Sequence, residues 1–99
     1  MQEKPFSSPD NAHQLHQGKI LSEAGLGFLL NDPEELLRFM DISGYNPDSL
    51  RQALTSPELE LAILSYFANN EPALLAMCAN SGIKPSRFMS FVQNQGAGI

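Results

Sequence analysis

Cysteine occurs once, at Cys78, histidine twice, at His13 and His16, and tryptophan not at all. One thiol cannot close an internal disulfide, so the fold does not depend on an oxidising compartment. Two histidines spaced H-x-x-H can share a helix face, but a zinc site takes three or four ligands. Neither a third histidine nor a nearby cysteine accompanies them. A solvated helix start is the expected role of that stretch, with no metal and no cofactor. Basic residues are scarce as well: six Lys and Arg stand against eleven Asp and Glu, a net charge of −5. Long apolar runs are missing too, since the apolar-rich stretch LAILSYFA (Leu61 to Ala68) is far short of the roughly 20 residues of a membrane span. The opening MQEKPFSSPDNAHQ carries two prolines and no apolar segment, so no secretory signal is expected. A soluble, cytoplasmic protein follows from these absences.

Proline, by contrast, is plentiful, and its placement is informative. Asp32-Pro33-Glu34-Glu35 has the form of a helix opening: an Asp N-cap, Pro in the first turn, and Glu35 placed to reach back as a capping box. Asn46-Pro47-Asp48 and Ser56-Pro57-Glu58 repeat that logic. Asn70-Glu71-Pro72 is a looser version, and Lys84-Pro85 has the proline without a good cap. Gly44 and Gly82 fall just past apolar runs, where a helix ends on a left-handed residue. These marks predict six helices, at about 13–30, 33–43, 47–54, 57–69, 72–81 and 85–93. No segment alternates with a two-residue period, so no strand is expected. The chain is expected to be one all-α domain over about 12–93, with disordered tails at 1–11 and 94–99. The fourth helix, apolar on nearly every side after Glu60, is the candidate for the centre.

The phrase Ser43-Gly44-Tyr45-Asn46-Pro47 returns as Ser81-Gly82-Ile83-Lys84-Pro85, 38 residues later. Laid without a gap from Leu21 to Leu54 against Leu59 to Val92, nine of 34 pairs are identical, including Leu21/Leu59, Leu36/Leu74, Gly44/Gly82 and Pro47/Pro85. Phe28/Tyr66, Phe39/Met77 and Leu50/Phe88 are similar. Caps, turn glycines and apolar positions recur together, so the expectation is two pseudo-repeated three-helix units, about 20–54 and 58–92. Neither is large enough to bury its apolar face alone.

The run GFLLNDPEELLRFMDISGYNPDSLRQAL, followed by an apolar helix and then EPALLAMCANSGIKP, resembles the bacterial domain-of-unknown-function family numbered three-five-seven-two. Its members are short all-helical proteins, mostly of alphaproteobacteria, and the resemblance covers roughly residues 20–90. It implies a helical fold and an uncharacterised role, and it carries no catalytic or ligand residues onto this chain. The histidine-containing N-terminus lies outside it.

Residues able to do chemistry are few. Glu34 and Glu35 diverge by about 100° around a helix and cannot converge as an acid/base pair. Cys78, among Leu74, Leu75 and Met77, has the setting of a small apolar filler rather than a nucleophile. Gly25 and Gly27 lack the remainder of a nucleotide fingerprint and serve as close-packing sites within a helix. No catalytic residue is assigned, and an enzyme of unidentified chemistry is the third reading. The second is a degenerate helix-turn-helix binding nucleic acid. Each glycine corner has an apolar residue next (Tyr45, Ile83) and another six later (Leu50, Phe88), and a helix from Pro85 would offer Ser86, Arg87, Ser90 and Gln93. Two basic residues in that half, Lys84 and Arg87, fall far short of the on the order of 6–10 phosphate contacts such proteins use.

The charge is also uneven. Residues 31–60 hold seven acids against Arg38 and Arg51, whereas residues 61–99 hold Glu71 against Lys84 and Arg87. Acids collecting at helix starts account for most of this. The first reading is therefore a non-enzymatic protein-interaction or assembly module, by a protein partner or by self-association. In the last helix Phe88, Met89, Phe91 and Val92 cover more than one face, of which a core can use only part. With Lys84 and Arg87 at the rim they form the candidate contact surface.

Overall fold

The computed structural model describes residues 8–94, with side-chain surroundings from residue 16 onward. It contains six helices: α1 (Ser8–Leu30), α2 (Pro33–Ser43), α3 (Pro47–Gln52), α4 (Pro57–Ala68), α5 (Glu71–Ser81) and α6 (Pro85–Asn94). There is no strand among the described residues. Proline sets five of these starts as expected. The Asp32 carboxylate accepts from the Glu35 N–H (3.2 Å) and the Ser56 hydroxyl from the Leu59 N–H (3.1 Å). Asn46 and Ser49 cap each other reciprocally, at 2.8 and 2.9 Å. Asn70, the looser signal, makes no side-chain cap. Helix α1 starts at Ser8, five residues ahead of the expectation. Ser8-Pro9-Asp10 has the same opening chemistry as Ser56-Pro57-Glu58, a cue hidden by its polar surroundings. The remaining expected tail residues, 1–7 and 95–99, lie outside the described part.

Both turn glycines have positive φ, 86° at Gly44 and 71° at Gly82, where a side chain would clash with the backbone. Their hydrogen bonds differ. The Gly44 N–H donates to Met40 O and the Tyr45 N–H to the Ser43 hydroxyl (3.4 Å), a single backbone bond with a side-chain supplement. At the second corner the N–H groups of Gly82 and Ile83 both reach Cys78 O, which closes that helix end entirely with backbone.

Helices α1 and α4 cross at the centre and make the most extensive contact of any pair. Leu21 and Leu29 of α1 are fully buried, as are Phe67 of α4, Phe39 of α2 and Phe88 of α6. The crossing is close because of one glycine. A Cβ at Gly25 would lie 2.7 Å from Ile63 Cγ2 and 2.8 Å from Phe67 Cε2, inside contact distance. Gly27 has open space around its Cα and is not a packing site, contrary to expectation. Its carbonyl instead accepts from the Asn31 backbone and side chain where α1 ends. Edge-to-face rings run outward from α4: Phe67 with Phe28 (6.1 Å) and Phe88 (6.4 Å), and Tyr66 with Phe39 (5.4 Å). Such pairs add about 0.5–1.5 kcal/mol each beyond burial. They join α1, α2, α4 and α6 into one core.

Candidate functional site: an apolar groove beside α3

Helix α3 is short, six residues, and has no contact with another helix as extensive as those made by α6. Its Pro47, Leu50 and Arg51, with Leu54 in the turn just past its end, face Leu36 and Met40 of α2 and Leu30 at the end of α1. Between them lies an open groove of about 250 Å³, almost wholly apolar. Leu30 is 58% exposed and Leu54 48%. Next to Leu36 on the outer face of α2, Leu37 is 64% exposed. Single exposed leucines are commonplace; several around one concavity are not.

Two acids of α2 flank Leu37, on a face turned away from the Leu36 and Met40 that line the groove. Glu34 and Asp41, both exposed, lie three residues before and four after Leu37, on the same side of α2. Glu34 sits in the first turn, where the helix dipole favours it; Asp41 sits in the last turn, where the dipole opposes it. Arg51 reaches the groove, but its guanidinium is tied to Asp48 at 2.7 Å.

A second feature joins α2 to α4. The Tyr66 hydroxyl donates to the Glu35 carboxylate, Arg38 holds the same carboxylate at 3.0 Å, and the Asn70 amide donates to the Tyr66 oxygen at 3.2 Å. Burial first, then the neighbouring Glu35 carboxylate, pushes the Tyr66 phenol up to about 12. Glu35 was expected to cap its own helix. Its side chain turns instead to α4, because a buried phenol needs an acceptor more than an exposed N–H does. Tyr66 also borders an open cleft of about 340 Å³ with Ile42, Ser43, Ala62, Ser65 and Asn69. A phenol held protonated and already bonded on both sides is a helix tie. It is poorly placed as a base.

The structure distributes the other candidate residues as follows. Phe88 and Val92 are buried in the core, and Met89 and Phe91 are half-buried against it. Phe91 packs over Gly18, where an added Cβ would stand 3.1 Å from its ring. Lys84 and Arg87 are exposed, and Arg87 donates to Gln17 of α1 at 2.8 Å. Ser86, Ser90 and Gln93 also face solvent. Cys78 is buried, and burial raises its thiol pKa, the setting of a filler. His16 is exposed, while the His13 side chain lies outside the described residues. The groove was missed at the sequence level because Leu30, Leu36 and Leu54 come from three helices. Their only local signal was an apolar residue in excess of what one helix face can bury.

Such a helical assembly belongs to the broad class of small all-α domains built around a crossing helix pair. Residues 16–96 match the family described as "Protein of unknown function (DUF3572)", and the chain belongs to that family. No curated protein and no solved structure matches it. No described helix is long and apolar enough to cross a membrane.

Proposed function

We propose that this protein is a non-enzymatic, cytoplasmic protein-interaction module that binds its partner through the α1–α2–α3 groove. What carries the reading is the contrast between position n and position n+38. The buried positions of one half recur in the other: Leu21 and Leu59, Leu29 and Phe67, Phe39 and Met77, Leu50 and Phe88. This pattern favours the reading of two copies of one three-helix unit. The groove positions break it. Leu54 is exposed where Val92 is buried, Met40 is half-buried where Cys78 is buried, and Leu30 is exposed where Ala68 is half-buried. A face that is closed in one half, with help from α1, is left open in the other, as a site awaiting a partner would be.

The acidic balance weighs against nucleic acid, and the Tyr66–Glu35–Arg38 cluster is spent on joining helices. Affinity capture from cells with wild-type protein and with Leu30→Asp/Leu54→Asp tests the proposal. A partner retained by the wild type and lost by the variant is expected, with the variant's circular-dichroism melt confirming that it is folded. The same proteins captured by both would contradict it.

A further inference from the structure

We infer that the cleft between α2 and α4 is a separate site, one that takes a small neutral molecule through an amide edge, a C=O and an N–H side by side. It shares no lining residue with the α1–α2–α3 groove. Its volume of about 340 Å³ falls within the roughly 300–1,000 Å³ of small-molecule sites. The wall is mixed. Ile42, which is 69% exposed, and Ala62 supply apolar surface, while Ser43, Ser65, Asn69 and Asn70 supply hydrogen-bonding groups. None of the lining residues is charged at neutral pH, because the one phenol among them, Tyr66, is pushed up to about 12.

Hydrogen-bond capacity selects the ligand. A backbone carbonyl only accepts, so the Asn69 amide must present Nδ2 to Ser65 O, at 2.9 Å. The Tyr66 hydroxyl gives its proton to Glu35, so Asn70 must likewise present Nδ2 to the phenol oxygen, at 3.2 Å. Both amides are oriented by these bonds, and both carbonyl oxygens are left without a protein donor among the described residues. Asn70 also keeps one N–H. It stands just before α5 as Asp32, 38 residues earlier, stands before α2. Asp32 caps its helix by accepting from the Glu35 N–H; Asn70 caps nothing, and its side chain lines the cleft instead. A spare acceptor and a spare donor on one amide are matched by the edge of another amide. A carboxylate has no hydrogen for the two carbonyls, and the Glu35 carboxylate stands on the other side of the Tyr66 hydroxyl. An ammonium would find no carboxylate in the wall to offset its desolvation.

Benzamide, benzoate and benzylammonium share one ring and differ in the group it carries, so they provide the probes. Titrated into ¹⁵N-labelled full-length protein at neutral pH, benzamide is expected to shift the backbone amides of Ser43, Ser65, Asn69 and Asn70. It should bind at least about fivefold more tightly than either ion, the worth of one hydrogen bond. Asn70→Ala should abolish that preference and Asn69→Ala should weaken it. Asn31→Ala removes the same helix-end bond as Asn69→Ala, from amide to the carbonyl four residues back, at a position outside the cleft, and should leave binding unchanged. The comparison of the three ligands on the wild type needs no variant to fold. No shift up to about 10 mM benzamide, shifts centred elsewhere on the molecule, or equal binding of benzoate or benzylammonium would overturn the inference. So would a benzamide preference that survives in folded Asn70→Ala.

Discussion

The halves 21–54 and 59–92 place apolar residues at the same positions and reach different results. In the second half, α6 runs ten residues and presents Phe88, Met89, Phe91 and Val92; in the first, six-residue α3 offers Leu50 and Arg51, and the turn after it Ala53 and Leu54. The bulkier set packs against α1, α4 and α5; the slighter set leaves a groove. The centre shows the same inequality. Gly25 and Ile63 are partners under the 38-residue offset, and they meet where α1 crosses α4. Two isoleucines would not fit at that contact, so one side chain is absent. A similar apolar pattern thus goes with two outcomes: the α6 face is covered, with help from α1, and the α3 face is left open.

The largest test of that inequality compares equivalent residues. Phe88→Ala should cost about 3–5 kcal/mol and Leu50→Ala roughly 2, the low end of such losses, because Leu50 already borders open space. Urea denaturation of both variants reads the difference, and equal losses would mean the two halves are equally packed.

Crowding at the crossing comes next. Gly25→Ala should destabilise by about 1–3 kcal/mol through contact with Ile63 and Phe67. Adding Ile63→Val should recover part of that loss, as coupled neighbours do; strictly additive losses would separate the two sites.

The tie between α2 and α4 is smaller and pH-dependent. Tyr66→Phe should cost about 1–3 kcal/mol at neutral pH, by loss of a bond to a carboxylate. The folded phenol titrates at about 12, above the ordinary value near 10. Folding therefore favours the protonated form, and its contribution is intact below pH 10 and lost as pH rises towards 12. The stability gap between wild type and Tyr66→Phe should stay level up to pH 10 and narrow beyond it. The smallest effect is a gain: Gly27→Ala, with open space about it, should stabilise α1 by about 0.5–1 kcal/mol. Its thermal midpoint should rise while that of Gly25→Ala falls.

What could be read from sequence was local. Asp32, Asn46 and Ser56 announce helix starts because a cap and its amide lie three residues apart, and Gly44 and Gly82 announce left-handed corners because few other residues tolerate positive φ. The central place of α4 was visible in its all-round apolar surface. What depends on distant neighbours was not. Gly25 and Gly27 are alike as letters and differ only in what stands opposite. Glu35 has a sufficient local role on paper and a long-range one in the fold. The apolar surplus was noticed on α6, where α1 helps cover it, while the open face arises from three helices that no single stretch describes.

The most direct measurement is to give α3 the residues of α6. In Leu50→Phe/Arg51→Met the new side chains should fill the groove as Phe88 and Met89 fill their half, outweighing the exposed Arg51–Asp48 pair. Urea denaturation should show stability raised by about 1–2 kcal/mol. A double variant less stable than wild type would mean that the open face is not the unfilled counterpart of the closed one, and the account of the two halves would be wrong.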